Sequence, residues 1–133
     1  MAYHYSRKLR MPFDKVVAKI TLALQQQGFG IITTIDLKDT FKKKLDVGFR
    51  NYKILGACNP KFAYQAISLE SHIGVMLPCN IVVQEHENGE IEVSAINPME
   101  NLDKTTVLTD IAEEVNKRLQ ASLDVLHQEY ALA

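Results

Sequence analysis

The residues of this chain best placed to do chemistry are its only two cysteines, Cys58 and Cys79. They lie in two similar stretches. "KILGACNP" runs from Lys53 to Pro60, and "MLPCNIVV" runs from Met76 to Val83. Each cysteine is followed directly by an asparagine, Asn59 or Asn80, and has a proline, Pro60 or Pro78, within two residues. Cys58 closes a β-rich run, and Asn59-Pro60 is a helix start: Asn suits the cap and Pro the first helical position. A thiol at that point faces free N–H groups and the positive end of a helix dipole, which stabilise a thiolate. Cys58 is therefore expected to be the more reactive thiol, with Asn59 as the cap of the helix behind it. Alternation puts Val75, Leu77, Cys79, Ile81 and Val83 on one strand face, so Cys79 points into an apolar layer and Asn80 the other way, unless a bulge at Pro78 reverses the two. The competing reading is that both cysteines are small buried hydrophobes.

Other chemistry is weakly signalled. There is no C-x-x-C pair, and His4, His72, His86 and His127 show no ligand spacing, so no metal is assigned. Glu85 closes the long strand that carries Cys79 and is a candidate for a site at the sheet end. Glu87, Glu90 and Glu92 flank a turn and read as solubilising. Lys42, Lys43 and Lys44 read as a solvated helix face. No Gly-rich phosphate loop, G-x-S-x-G motif or Ser-His-Asp pattern is present.

The elements that must hold these residues are legible from periodicity. Tyr3 to Leu9 alternates and ends before Pro12, giving a first strand. Phe13, Val16, Val17, Ile20 and Leu24 follow helical spacing, and Gly28 sits where a left-handed C-cap belongs. "FGIITTIDL" is a β-branched second strand. Asp36 caps a short helix with Leu37, Phe41 and Leu45 on one face. Asn51 to Cys58 is the third strand, and Phe62, Ala63, Ala66 and Ile67 stripe the helix that follows. Ile73 to Glu85 reads as a long fourth strand with a bulge at Pro78. Asn88-Gly89 makes a hairpin to Ile91–Ile96. A last helix spans Thr105 to Leu126, with Leu108, Ile111, Ala112, Val115, Leu119, Leu123 and Leu126 on one side.

This order predicts a two-layer α+β fold, a single, mostly antiparallel sheet of about five strands with helices on one face. Ile32, Leu55, Met76, Val82 and Ile96 are expected on the other face, and that second apolar row predicts a homodimer. The composition, 47% hydrophobic and 23% charged, fits one globular domain over residues 1–133. A net charge of −1 gives no field for nucleic acid. No apolar run approaches the roughly 20 residues that span a bilayer. Two cysteines without an export signal suggest a reducing cytoplasm.

"YKILGACNPKFAYQAI" and "IGVMLPCNIVVQEHENGEIEVSAINP" together resemble the signature of domain-of-unknown-function family DUF302, small bacterial and archaeal proteins. The resemblance covers nearly the whole chain. Its positions fall on Cys58, Asn59, Pro60, Pro78, Cys79, Asn80 and Glu85. It implies a curved antiparallel sheet with a long C-terminal helix, TATA-binding-protein-like or helix-grip in shape and often homodimeric. It implies no activity and no cofactor. Three readings follow. The first is a homodimeric binding module with a small-ligand cleft near the two Cys-Asn motifs, drawing on Cys58, Asn59, Cys79, Asn80 and Glu85. The second is an interaction domain with structural cysteines. The third is a thiol-dependent enzyme or redox sensor using Cys58, for which no general base is visible beside it.

Overall fold

The structure, a computed structural model, describes residues 3–100 and 107–130. Strand β1 (His4–Leu9) leads into helix α1 (Phe13–Gln26), then β2 (Gly30–Asp36) and the short α2 (Leu37–Leu45). Next come β3 (Tyr52–Cys58), α3 (Pro60–Leu69) and a 3-10 helix (Ser71–Met76). The hairpin β4 (Cys79–Glu85) and β5 (Ile91–Ile96) precedes the long α4 (Val107–Tyr130). The five strands form one sheet in the order β1-β5-β4-β3-β2, and every pairing is antiparallel. The expected start of the last helix at Thr105 lies outside the described residues.

Topology explains the length of α1. β1 and β2 are the two edges of the sheet, four strand spacings apart, or about 19 Å. The 14 residues of α1 span about 21 Å, so one helix crosses the face from edge to edge. Its stripe of Phe13, Val16, Ile20 and Leu24 is buried against the sheet. Pro12 is the cap residue itself rather than the first helical one, and Gly28 at φ +90° ends the helix. α4 lies beside α1 and buries Ala112, Val115, Leu119, Leu123 and Leu126. From below, alternate strand residues meet them: Leu9, Leu55, Ile81, Val83, Ile91 and Val93, each at most 1% exposed. Polar fastenings hold α4 in place. Tyr5 donates to Asp124 Oδ1 at 2.6 Å, and Arg7 Nε donates to the same oxygen at 3.1 Å. Ser122, almost fully buried, faces the Ala23 carbonyl of α1 at 3.5 Å while it donates within its own helix to the Arg118 carbonyl at 2.9 Å.

Three sequence expectations change. The stretch before Cys79 is not strand: Ser71–Met76 is a 3-10 helix, Leu77-Pro78 is a cis peptide, and β4 begins only at Cys79. A proline lacks the N–H that a ladder needs, so the strand starts after it. The bulge lies instead in edge strand β2, where the register shifts between Ile31 and Thr33 and leaves Ile32 unpaired. The supposed second apolar row also dissolves. Leu55 alternates with Gly56 onto the inner face and is 1% exposed, and Met76 belongs to the 3-10 helix. Ile96 is half-buried and packs against the core. Of the five residues named for that row, Val82 and Ile96 border a basin of the outer sheet face and Ile32 lies at the edge of that face. Around Val82 the outer face is largely polar. Ser6 and Ser94 hydroxyls meet across the strands at 2.7 Å, and Arg50 donates to Gln84 Oε1. α2 buries no residue, although Asp36 caps it as expected by accepting from the Asp39 N–H at 3.1 Å.

Leu119 is completely buried beneath the α1–α4 pair, whereas Lys42 and Lys43 lie exposed in i,i+4 pairs with Asp46 and Asp39. Leu119→Ala is expected to cost roughly 2–5 kcal/mol of stability. Any single change at Lys42, Lys43 or Lys44 should cost less than about 0.5 kcal/mol. Urea midpoints of the variants decide it, and equal midpoints would mean the helix face is wrongly placed.

Candidate functional site

Ala57, at the inner face of β3, pairs across the sheet with Cys79, the first residue of β4. Cys58, next to Ala57, ends β3, and α3 begins two residues later. Both cysteines line one cavity of about 80 Å³ between the end of the sheet, α3, the 3-10 helix and the first turns of α4. Neither is in a disulfide. Cys58 is half-buried and Cys79 is 8% exposed. The cavity walls are almost wholly apolar. Ala57, Ala63, Ala66 and Ala112 leave the space, and Phe29 and Phe62 bound it. Met76 also lines it from the 3-10 helix, 37% exposed to solvent. Besides the two thiols, no titratable side chain among the described residues lines the cavity.

The two thiols differ in electrostatics. Burial in this apolar layer pushes the Cys79 thiol up from an ordinary 9.0 to about 11, and the neighbouring Cys58 adds to the rise. That agrees with the face assigned to Cys79 by alternation. Cys58 is the more open of the two to solvent.

Asn59 sits at the cap position with extended backbone, and its carbonyl accepts from Ala63 N–H at 2.9 Å to open α3. Its side chain does not cap the helix, contrary to expectation. Asn59 Nδ2 donates instead to the Gln27 carbonyl at the end of α1, at 3.2 Å. Arg118 of α4 donates to the same carbonyl at 3.1 Å, pairs with Glu114 at 2.9 Å, and sits over the Phe62 ring at 5.1 Å. The orphan carbonyl at a helix C-terminus thus draws in β3, α3 and α4 together. Gly28 makes this possible, because a Cβ there would lie 3.0 Å from Asn59 Nδ2. The outer side of the same strand end depends on another glycine. A Cβ on Gly56 would lie 2.1 Å from Thr33 Oγ1 and 2.8 Å from Pro78 Cγ.

Two of the five candidate residues lie elsewhere. Asn80 points to the outer face, in a shallow basin with Tyr52, Gln84 and Ser94. Glu85 ends β4, six residues and about 20 Å from Cys79. There it accepts from Asn51 Nδ2 at 2.9 Å and donates its N–H to the Asn51 carbonyl, which brackets two strand ends. Among the described residues no group of three or more His, Cys, Asp or Glu could hold a metal ion. No helix among them is long and apolar enough to cross a membrane. The sequence reading gave no site role to Met76 or to the alanines. Ala63 and Ala66 are three apart on α3, and small residues on two facing helices were the signal available for a void.

The family model for "Domain of unknown function DUF302" matches residues 5–126. The chain belongs to the DUF302 family. A solved structure described as "uncharacterized conserved protein DUF302 from Bacillus stearothermophilus" is similar to it at 27% identity, with a TM-score of 0.85. The match covers 93% of this chain and 98% of that one. No curated protein matches the chain. The DUF302 assignment agrees with the five-stranded antiparallel α+β architecture described above and carries no activity with it.

The raised Cys79 value has a consequence for stability. The folded protein holds that proton more tightly than the unfolded chain, so this contribution is fully present below pH 9.0 and is lost as pH rises towards about 11. The loss across that window is expected to be about 2–3 kcal/mol. Urea unfolding of wild type and Cys79→Ala at several alkaline pH values checks it: the variant should fall less steeply, and parallel curves would refute the assignment.

Proposed function

We propose that this chain is a binding module whose small ligand occupies the apolar cavity beneath the two cysteine motifs. One observation carries the reading: Cys58 and Cys79, twenty-one positions apart in sequence, line the same cavity, which is otherwise walled by alanines and large apolar side chains. Concave, mostly apolar sites with a few polar groups are the usual form of a small-molecule site. Asn59 and the two thiols are those groups here; Asn80 and Glu85 are not among them. Thiol catalysis finds less support. A nucleophilic cysteine needs a base or a positive neighbour, and no His, Lys, Arg or carboxylate among the described residues lines the cavity. The cavity's size suits a probe of a few atoms. Xenon enters dry apolar cavities of this kind. Under xenon pressure the backbone amide signals of Cys58, Cys79 and Ala63 should shift, and Ala63→Phe, which fills the space from half-buried α3, should abolish the shifts. Shifts confined to another region, or persisting in Ala63→Phe, would overturn the reading.

We also propose that the module is a homodimer, joined through the outer sheet face. What supports this is the cross-strand pair Ile54 and Val82 in the middle of that face, with the unpaired Ile32 exposed at its edge. Sedimentation at micromolar concentration should show a species of twice the 15.0 kDa chain mass. Val82→Glu should return it to the monomer. A wild-type monomer would remove the dimer and leave the cavity untouched.

A further inference from the structure

A concentration of positive charge lies at the opposite end of the sheet from the cavity. There β2 ends and β3 begins, with Asp36 paired to Lys53, whereas Cys58 sits where β3 ends. Residues 36–50 carry five cations, Lys38, Lys42, Lys43, Lys44 and Arg50, against three carboxylates, in a chain whose net charge is −1. All three carboxylates are engaged. Asp36 accepts from the Asp39 N–H at 3.1 Å, Asp39 pairs with Lys43 at 3.0 Å, and Asp46 pairs with Lys42 at 2.6 Å. No ion pair among the described residues involves Lys38, Lys44 or Arg50, and Arg50 donates to the neutral Gln84 amide oxygen. Exposed aliphatic side chains sit in the same segment. At 3.6 residues per turn, Leu37, Phe41 and Leu45 run along one side of α2, with Lys38 and Lys42 on one flank and Lys44 on the other. Nothing roofs the end of that stripe: α2 buries no residue, and Leu45 is 65% exposed. The helix closes at Asp46, in the left-handed region at φ +53°. Asp46 N–H donates to the Lys42 carbonyl and Val47 N–H to the Phe41 carbonyl. This double closure holds Leu45 and the exposed Val47 on either side of one tight turn.

We propose that this tip docks the protein on the surface of an anionic lipid bilayer. Leu45 and Val47 enter the headgroup layer, and Lys38, Lys44 and Arg50 meet the lipid phosphates and carboxylates. Charge complementarity selects an anionic surface, because the positive surplus is free while each local carboxylate is held. The exposed aliphatic residues select lipid over nucleic acid. A basic surface holds single-stranded nucleic acid by stacking bases on open aromatic faces. Here the aromatic rings are taken up by one another and by Arg50. Phe41 meets Phe49 edge-on at 5.0 Å, and the Arg50 guanidinium lies over Phe49 at 4.4 Å and over Tyr52 at 5.5 Å. What stays open is a leucine and a valine among lysines. Lysine stems can lie along such apolar surface with their ammonium heads at phosphate level, as on interfacial helices. The contact is peripheral, since no helix among the described residues is long and apolar enough to cross a membrane. Glu87 borders the hollow beside Arg50 and limits the basic area on that side. The proposal goes beyond the cavity and uses none of its residues.

The test is flotation of the full chain with phosphatidylcholine vesicles containing about 30% phosphatidylserine, at about 0.1 M salt. The chain should float with these vesicles and not with phosphatidylcholine alone, and added salt should release it. Lys38→Gln with Lys44→Gln should weaken binding roughly twentyfold, about fivefold for each charge. Leu45→Ser should weaken it about tenfold. All three positions are exposed, so urea midpoints of these variants should match wild type. A second measurement needs no loss of binding. The chain has no tryptophan, so Val47→Trp supplies a single reporter, and its emission should shift to the blue on phosphatidylserine vesicles. Tyr64→Trp, at an exposed position on α3, should stay unshifted in the same vesicles. No flotation with phosphatidylserine, equal flotation with phosphatidylcholine alone, full binding by the lysine or Leu45 variants, or an unshifted tryptophan at position 47 would each overturn the proposal. Capture of a single-stranded oligonucleotide by a chain that ignores the vesicles would replace lipid by nucleic acid as the partner.

Discussion

Burial of one sheet face beneath two helices is the constraint on which the rest of this structure depends. The residues that meet there, from Leu9 on one edge strand to Leu55 near the other, are removed from water by α1 and α4 acting as one layer. Apolar burial at roughly 25 cal/mol per Å² is the dominant favourable term for a domain of this size. It also sets the geometry. Because the chain leaves β1 at one edge and enters β2 at the other, α1 has to cross the whole sheet. Its C-terminus then arrives beside the end of β3, where the Gln27 carbonyl collects donors from Asn59 and Arg118. The cavity lies beside that junction. It exists because the residues there are alanines, where leucine, isoleucine and valine fill the middle of the layer.

The two cysteine motifs look alike in sequence and are unlike in three dimensions. Cys58 leads into a helix, and its asparagine turns inward to fasten α1. Cys79 opens a strand, and its asparagine turns out onto the opposite face of the sheet. The similarity is therefore not one local structure used twice. Two different chain reversals bring a cysteine to the border of one cavity, one burying it and one leaving it within reach of solvent.

Most of the architecture was legible in the residues. The α1 stripe, Gly28 as its stop, the Asp36 cap and the Asn88-Gly89 turn all rest on local chemistry, and local chemistry is what a single sequence displays. The inward face of Cys79 followed from simple alternation. What could not be read depended on contacts between distant segments. The Asn59 side chain had a local use available as a cap and was drawn off by a carbonyl thirty-two residues earlier. Leu55 was assigned to the wrong side because the register of β3 is set by its neighbours β2 and β4. The segment before Cys79 misled for a related reason. Val75 and Met76 have strand-forming or apolar character, yet Pro78 prevents the ladder from extending over them. Glu85 belongs to the right strand and the wrong end of it, a distinction that needs the site before it can be drawn.

Gly56 carries no functional group and faces away from the cavity, yet the strand opening at Cys79 is seated on it. The Pro78 ring and the Thr33 hydroxyl occupy the space that any other residue's β-carbon would need. A bare backbone at this position is thus a docking surface for the segment that delivers the inner thiol. In a survey of tolerated substitutions, position 56 would behave like a residue that lines the cavity, intolerant of even a methyl group. Its sensitivity would report the seating of its neighbour and not a contact with anything bound.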